Sequence, residues 1–342
     1  MNFSIFLTNK CNMNCKYCYE KNKQNRSMSY EVLDGTIDFI LHHYTSVIGY
    51  NGRLSIVTHG GEPLLEFEKL KYLVNRINSS IENVEYIITT NATLLNDEII
   101  EFLITNFSQI SVSIDGTKAA HNLNRVYLNG DGTYEHVIEN AKRILTKRND
   151  IKARLTINSK NVNYLYEGVK ELISIGFNDI VPVPDQFDNG WTEDTMAALY
   201  NNGEKITTFI KKNSLTTNVG LINDSLVKCK NGACDGGTTT FSIDCDGTIY
   251  PCVVAVGVKE FVIGDINSGI LAEQIDNIEK WANIENLACG GCSRYDYCYA
   301  TRCKIINKLL TGDLHTPSAT TCNIENIKVN LAQNYLIHFP QV

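Results

Sequence analysis

Three of the chain's twelve cysteines, Cys11, Cys15 and Cys18, lie within one short stretch directly after an apolar run from Phe3 to Leu7. With Tyr17 before the last of them, the stretch reads C-x3-C-x2-C plus an aromatic residue. Thiolates this close together let one loop wrap a single soft-metal centre, and thiolate ligands select iron–sulfur clusters or zinc. Zinc in a structural site takes four ligands, commonly in C-x2-C pairs, and the stretch offers three. Three thiolates on a four-iron cube leave one iron free to take a small molecule, so the spacing favours a cluster with an open iron over a zinc knuckle.

The placement of the other cysteines narrows the class further. The stretch from Cys18 to Cys229 contains none, and nine follow from Cys229 onward. The N-terminal apolar run is short, has no basic segment before it and meets Lys10 and Cys11 at once, so it does not read as a secretion signal. Thiols in a chain that is not exported stay reduced and serve metals more than disulfides. The expectation is a cytoplasmic protein of oxygen-poor surroundings. A net charge of −7 argues against nucleic acid as a partner. No apolar stretch approaches the ~18 residues of a membrane span, so no membrane partner is expected.

Between Phe3 and Val183 short apolar runs alternate with longer amphipathic ones. Strands are predicted at Phe3–Leu7, Leu54–His59, Tyr86–Thr90, Ile110–Ile114, Ala153–Ile157 and Asp179–Val183. Helices are predicted at Tyr30–His42, Leu65–Ile77, Asp97–Phe107, Tyr134–Leu145 and Asn161–Ile175, with Asn96 and Asn161 as caps. Six such βα units imply an α/β fold with a parallel sheet and right-handed crossovers. Six rather than eight suggest a partial barrel, open on one side. The polar Asp185–Trp191 break and a helical pattern from Thr192 to about Lys212 follow. The division expected is residues 1–190 as the barrel, 191–224 as a helical bridge and 225–342 as a small cysteine-rich domain.

Functional groups of such barrels gather at the C-terminal ends of the strands, and the polar signals fall there. The first strand runs into the cysteine loop. The second ends in Gly60-Gly61-Glu62-Pro63, the third in Thr90-Asn91, and the fourth in Ser113-Ile114-Asp115-Gly116, with His121 and Arg125 beyond it. Cysteine loop, GGEP, T-N and S-I-D-G/H-x3-R together resemble the radical S-adenosylmethionine (SAM) enzymes, in a partial (β/α)6 barrel. The resemblance implies that Cys11, Cys15 and Cys18 hold a 4Fe-4S cluster whose open iron takes SAM. It also implies that Tyr17, Gly60, Gly61, Glu62, Asn91, Ser113, Asp115, Arg125 and Arg154 line the SAM site. Glu62 and its loop would hold the methionyl amino group, Ser113 the ribose or carboxylate, and Arg125 or Arg154 a carboxylate. Asp115 equally suits a cap on the following turn. His59 and His121 read as hydrogen-bonded loop residues, not metal ligands.

In the second half, Asp246-Gly247 signals a hairpin between Phe241 and Cys252. Cys234, Gly247 and Cys252, then Cys289-x2-Cys292-x5-Cys298-x4-Cys303 and Cys322, resemble the SPASM extension of peptide-maturing radical SAM enzymes. The departure is four residues, not three, before Cys303. Carried over residue by residue, the pattern implies two auxiliary 4Fe-4S clusters. The first takes Cys229, Cys234, Cys252 and Cys303, the second Cys289, Cys292, Cys298 and Cys322, and metal binding contributes to folding. Two zinc sites are the alternative. Cys245 remains over, as a small buried residue or as the hydrogen-atom donor an epimerase needs.

The resemblance implies an oxidoreductase-type peptide maturase of ribosomally made (RiPP) peptides. A 5′-deoxyadenosyl radical would take a hydrogen from a precursor peptide, and a cross-link would follow, with a thioether favoured. Alternatives are a carbon–carbon or carbon–oxygen cross-link, epimerisation, or formylglycine formation as in anaerobic sulfatase maturases, against which Val253 stands where those enzymes carry an aspartate. A non-enzymatic iron–sulfur electron carrier or redox sensor is a further alternative. Partners expected are the peptide, a separate leader-binding protein unless the peptide binds directly, and a flavodoxin- or ferredoxin-type reductant.

Overall fold

The computed structural model describes residues 1–18, 20, 25–47, 52–226 and 232–338. Cys229 lies outside the described residues. Six strands run parallel and in chain order: β1 Asn2–Thr8, β2 Ser55–Gly60, β3 Glu85–Thr90, β4 Gln109–Ser113, β5 Lys152–Ile157 and β6 Asp179–Pro184. Strands β2, β3, β5 and β6 alternate, with one face buried and the other only partly so, while β1 from Phe3 onward and the middle of β4 are buried on both faces. A strand's side chains change face at every residue. Ile56, Ile88, Val112, Leu155 and Ile180 therefore pack outward under the helices, while Val57, His59, Ile87, Ser113, Arg154 and Val183 point into a lumen.

The helices that cover the outer face are α1 Tyr30–Val47, α2 Phe67–Asn78, α3 Asp97–Asn106, α4 Lys118–Asn124, α5 Tyr134–Lys147, α6 Leu165–Ile175, α7 Glu193–Lys212 and the short α8 Gly220–Asn223. Caps explain several of the starts. Asn96 accepts from Ile99 N at 2.8 Å, and Thr192 forms a capping box with Thr195. Asn161 does not act as the helix cap expected of it. Its side chain instead accepts from Asn158 N at 2.8 Å, and a short 3-10 turn precedes α6. Helix α4 has no strong apolar period in the sequence; the Thr117 hydroxyl caps it by accepting from Ala120 N.

The sheet does not close. Its order is β11-β10-β9-β8-β1-β2-β3-β4-β5-β6-β7, where β7 is Asn218–Val219, β8 Thr240–Ile243, β9 Thr248–Tyr250, β10 Gly264–Asp265 and β11 Gly269–Ile270. Strands β8 and β9 form the expected hairpin, with Gly247 at φ +86° in its turn. Strand β8 also pairs parallel with β1, Asn2 against Thr240 through Ile5 against Ile243, so the cysteine-rich half begins as an extension of the barrel sheet. Phe241 stacks on Phe3 across that pair at 5.3 Å. The rest of this half contains α9 Ala272–Ala282, α10 Tyr299–Arg302, α11 Lys304–Thr311 and α12 Ala319–His338. Helix α12 returns to the barrel, where Asn334 donates to the Tyr200 hydroxyl of α7 at 2.9 Å.

Candidate functional site

The C-terminal ends of β1 to β4 converge on the cysteine loop. From β2, Gly61 N donates to Thr8 O and Glu62 N to Lys10 O, both at 2.9 Å. A side chain on Gly61 would place its Cβ 2.2 Å from Lys10 O, and one on Gly60, at φ +153°, would lie 2.3 Å from Thr8 O. The two glycines therefore let the GGEP loop lie backbone to backbone against the entry to the cysteine loop. From the other side, Asn14 N donates to Val126 O at 2.8 Å and Lys16 N to Asn124 O at 2.9 Å. Fully buried Met13 bridges to Tyr127. The segment just after α4 thus carries the far edge of the loop, a role the sequence did not signal.

Glu62 is buried, and its carboxylate gathers the ends of β2 and β3. It accepts from Leu64 N at 3.1 Å, Thr90 Oγ1 at 2.8 Å and Asn91 N at 2.7 Å. Burial pushes its carboxyl up to about 7, against the pull of these three donors. Asn91 continues the chain of contacts. Its amide donates to Asn12 Oδ1 at 2.9 Å and reaches Cys11 Sγ at 3.9 Å, while its oxygen accepts from Thr93 N and Oγ1. Asn12 in turn donates to Thr93 Oγ1 at 2.7 Å, so Asn12 and Thr93 belong to the site as well.

A buried ion pair stands behind Cys15 and Tyr17. Asp115 accepts from Arg125 Nε at 3.1 Å, from the Tyr17 hydroxyl at 2.5 Å and from Thr156 N at 3.0 Å. Arg125 also lies over the Tyr17 ring, 5.2 Å from its centroid. Burial works against the Arg125 charge, and the Asp115 carboxylate more than restores it. Burial likewise pushes the Tyr17 hydroxyl well above its ordinary range, with the Arg125 charge opposing. In this structure Asp115 joins the cysteine loop to β4 and β5 rather than capping the next turn, and Arg125 spends its Nε on Asp115. His121 is buried and held in one tautomer. Asp115 N donates to its Nδ1, which leaves Nε2–H for Thr133 Oγ1 at 2.9 Å. Burial keeps it neutral. This is the hydrogen-bonded role expected of it.

Ser113 and Arg154 are paired across β4 and β5 and share the lumen face, with the Arg154 side chain exposed. His59 faces the same space, stacked on Phe6 at 5.4 Å. Desolvation first, and then the Arg154 charge, lowers it to about 4. The lumen thus offers a fixed cation, a neutral imidazole and a hydroxyl below the cysteine loop.

In the second half the thiols gather in two groups. Cys252 interacts with Cys303 and Cys234, and Tyr299 hydrogen-bonds Cys303. Burial, with the neighbouring thiols adding, pushes Cys252 up to about 12. Cys289 interacts with Cys322 and Cys292, and Cys298 with Cys322. Cys303 follows α10 directly and stands with Cys252 and Cys234. Arg302 ties the two parts of this group, donating to Asp235 at 2.7 Å. Cys245 lies apart from both groups, buried, with its thiol donating to Asn9 Oδ1. Among the described residues no three Cys, His, Asp or Glu side chains converge as a set for a single metal ion. The donors are sulfur alone, a soft set that suits iron–sulfur clusters. In the first loop Met13 N, at 3.4 Å from Cys11 Sγ, and the Asn91 amide are N–H groups of the kind that stabilise cluster thiolates. The residues therefore fit the groups that the motifs imply.

Residues 5–179 match the radical SAM superfamily, and the chain belongs to it. Among curated relatives, an uncharacterized protein of Methanocaldococcus jannaschii is 32% identical over 176 residues, 51% of this chain and 59% of that protein. A cysteine-type anaerobic sulfatase-maturating enzyme of Clostridium perfringens is 27% identical over 299 residues, 77% of this chain and 76% of that enzyme. In fold the chain resembles the solved structure of native anSMEcpe with bound AdoMet and Cp18Cys peptide, with a TM-score of 0.78 at 22% identity over 99% of this chain and 98% of that one.

Proposed function

We propose that this protein is a radical SAM peptide maturase that removes a hydrogen from a peptide substrate and installs a cross-link, in first place a thioether. The observation that carries the reading is the cysteine loop poised over an unclosed barrel whose lumen is polar and accessible at Ser113, Arg154 and His59. The named sulfatase-maturating relative and the peptide-bound fold neighbour support a peptide as substrate. Cys11, Cys15 and Cys18 would hold the SAM-binding 4Fe-4S cluster. Cys234, Cys252 and Cys303, joined by Cys229 from outside the described residues, would hold one auxiliary cluster; Cys289, Cys292, Cys298 and Cys322 would hold the other. When bound, SAM on the first cluster supplies a 5′-deoxyadenosyl radical inside the barrel.

The chain's own residues prepare that site. Glu62, Asn91 and Asn12 hold the Cys11 side of the loop, and Asp115, Arg125 and Tyr17 hold the Cys15–Cys18 side. Arg154 is the accessible cation that would meet a carboxylate, of SAM or of the peptide. Val57, Ile87 and Val183 give the same lumen apolar wall beside those polar groups.

The test is anaerobic incubation of the reconstituted protein with SAM, reductant and the small peptide encoded beside its gene. A peptide mass lower by two hydrogens, with no aldehyde and with its cysteine thiol consumed, is the expected result. An aldehyde-reactive product would instead establish formylglycine formation, the second reading, which the sulfatase-maturating relative favours and Val253 after Cys252 disfavours. An unaltered mass at every peptide α-carbon and side chain, with no 5′-deoxyadenosine formed, would overturn maturase activity altogether. Replacing Cys11, Cys15 or Cys18 by alanine should abolish 5′-deoxyadenosine formation, read by chromatography.

A further inference from the structure

His59 stands on the lumen face of β2, one residue before the Gly60-Gly61 turn. Its ring is stacked on fully buried Phe6 across the β1–β2 pair, with centroids 5.4 Å apart and planes 18° from parallel. The stack fixes the plane of the imidazole and leaves its edge, which carries both nitrogens, for other partners. Among the described residues neither nitrogen makes a hydrogen bond, contrary to the loop role the sequence suggested. Neither is sealed away. The buried polar atoms without a partner include His43 Nε2 and His315 Nδ1 but no atom of His59, which is only partly buried. Other acid–base groups around the cysteine loop are committed. Glu62 and Asp115 each accept from three donors. His121 is hydrogen-bonded through both nitrogens, and a guanidinium such as that of Arg154 keeps its proton.

A neutral imidazole keeps one nitrogen lone pair as an acceptor. Burial, and then the Arg154 charge, hold the His59 ring in that neutral form. We propose that His59 is a catalytic residue that accepts the proton of a peptide thiol as its sulfur bonds to the substrate carbon radical. The inference rests on the thioether reading given above. In this step the S–H bond breaks and the C–S bond forms. The proton passes to the imidazole, and the one electron left over passes to a one-electron oxidant of the iron–sulfur class. A thiol proton becomes strongly acidic only as sulfur forms its third bond, so a weak base that is always neutral beforehand is sufficient to take it.

The experiment uses the reconstituted full chain with SAM, reductant and the peptide encoded beside its gene. It reads thioether formed per 5′-deoxyadenosine, by mass and chromatography, so that only assembled, SAM-cleaving protein is counted. His59→Gln keeps a hydrogen-bonding side chain that takes no proton, and His59→Phe keeps only the stack on Phe6. The expected result is a ratio lowered about 10²-fold or more in both variants, the scale of a lost proton acceptor. Equilibrium binding gives a readout independent of turnover. Wild type and His59→Gln should bind the peptide about threefold to tenfold more tightly than a version with alanine in place of its cysteine, the worth of one hydrogen bond. His59→Phe should bind the two alike. An unchanged product ratio in His59→Gln would overturn proton acceptance by His59 while leaving the thioether reading intact. A wild type that forms 5′-deoxyadenosine but consumes no peptide thiol would overturn the thioether reading, and the role of His59 with it.

Discussion

Replacing Asp115 by alanine should cost the protein about 5 kcal/mol of stability, the order given by breaking a buried ion pair from one side. The Asp115 side chain is 0% exposed and that of Arg125 7%. One carboxylate accepts from three donors: Arg125 Nε at 3.1 Å, the Tyr17 hydroxyl at 2.5 Å and Thr156 N at 3.0 Å. Removing the carboxylate strands the guanidinium, at about 3–5 kcal/mol, and leaves two neutral donors unpaired, at about 1–3 kcal/mol each. These penalties share one site and do not add in full. Urea unfolding of the reconstituted protein under anaerobic conditions, followed by far-ultraviolet circular dichroism, measures the loss. The double variant Asp115→Ala/Arg125→Met removes both charges and should be milder than Asp115→Ala alone. A single-variant cost under about 2 kcal/mol, or a double variant no milder than the single, would refute the assignment of Asp115 as the anchor of the cysteine loop.

Two further outcomes follow from the same geometry. Gly61→Ala forces a Cβ to 2.2 Å from Lys10 O, so the GGEP loop must retreat; the expected cost is about 1–3 kcal/mol, with loss of the SAM-binding cluster's spectroscopic signal while the auxiliary signals stay. His59 has its pKa lowered to about 4 in the fold, below the ~6.5 of an unfolded histidine, so the unfolded chain binds the extra proton. The stability it contributes is complete above about pH 6.5 and falls as acid is added through about pH 4, by a total of about 3 kcal/mol; in His59→Gln this acid-dependent part of the unfolding curve should flatten.

Much of the fold was legible because its signals are local. Short apolar runs, the Asn96 cap, and the Asp246-Gly247 turn each depend on a few neighbouring residues. The six barrel strands therefore lie within a residue or so of where the pattern puts them. Helix α4 was not legible, because its seven residues carry no apolar period and its cap, Thr117, is an ordinary threonine in sequence. Asn161 misled for a related reason. A residue suited to capping helices also suits a turn, and the 3-10 segment before α6 left its side chain for Asn158.

The sequence alone determined the chemistry available to this protein. The spacing of Cys11, Cys15 and Cys18, the GGEP turn and the later cysteines are covalent facts, and sulfur-only donors at such spacing admit few cofactors. Tertiary structure alone decided which polar groups spend themselves on one another and which remain to meet a ligand. Glu62, Asn91, Asp115 and Arg125 carry the same functional groups whether they face SAM or the protein. Only folding shows Asp115 gathering Arg125, Tyr17 and β5, and Arg154 on the lumen face with its side chain exposed. Folding likewise placed β8 beside β1, across a separation in the chain that no local pattern spans. Such contacts depend on where packing brings the elements together, and packing is a property of the whole chain.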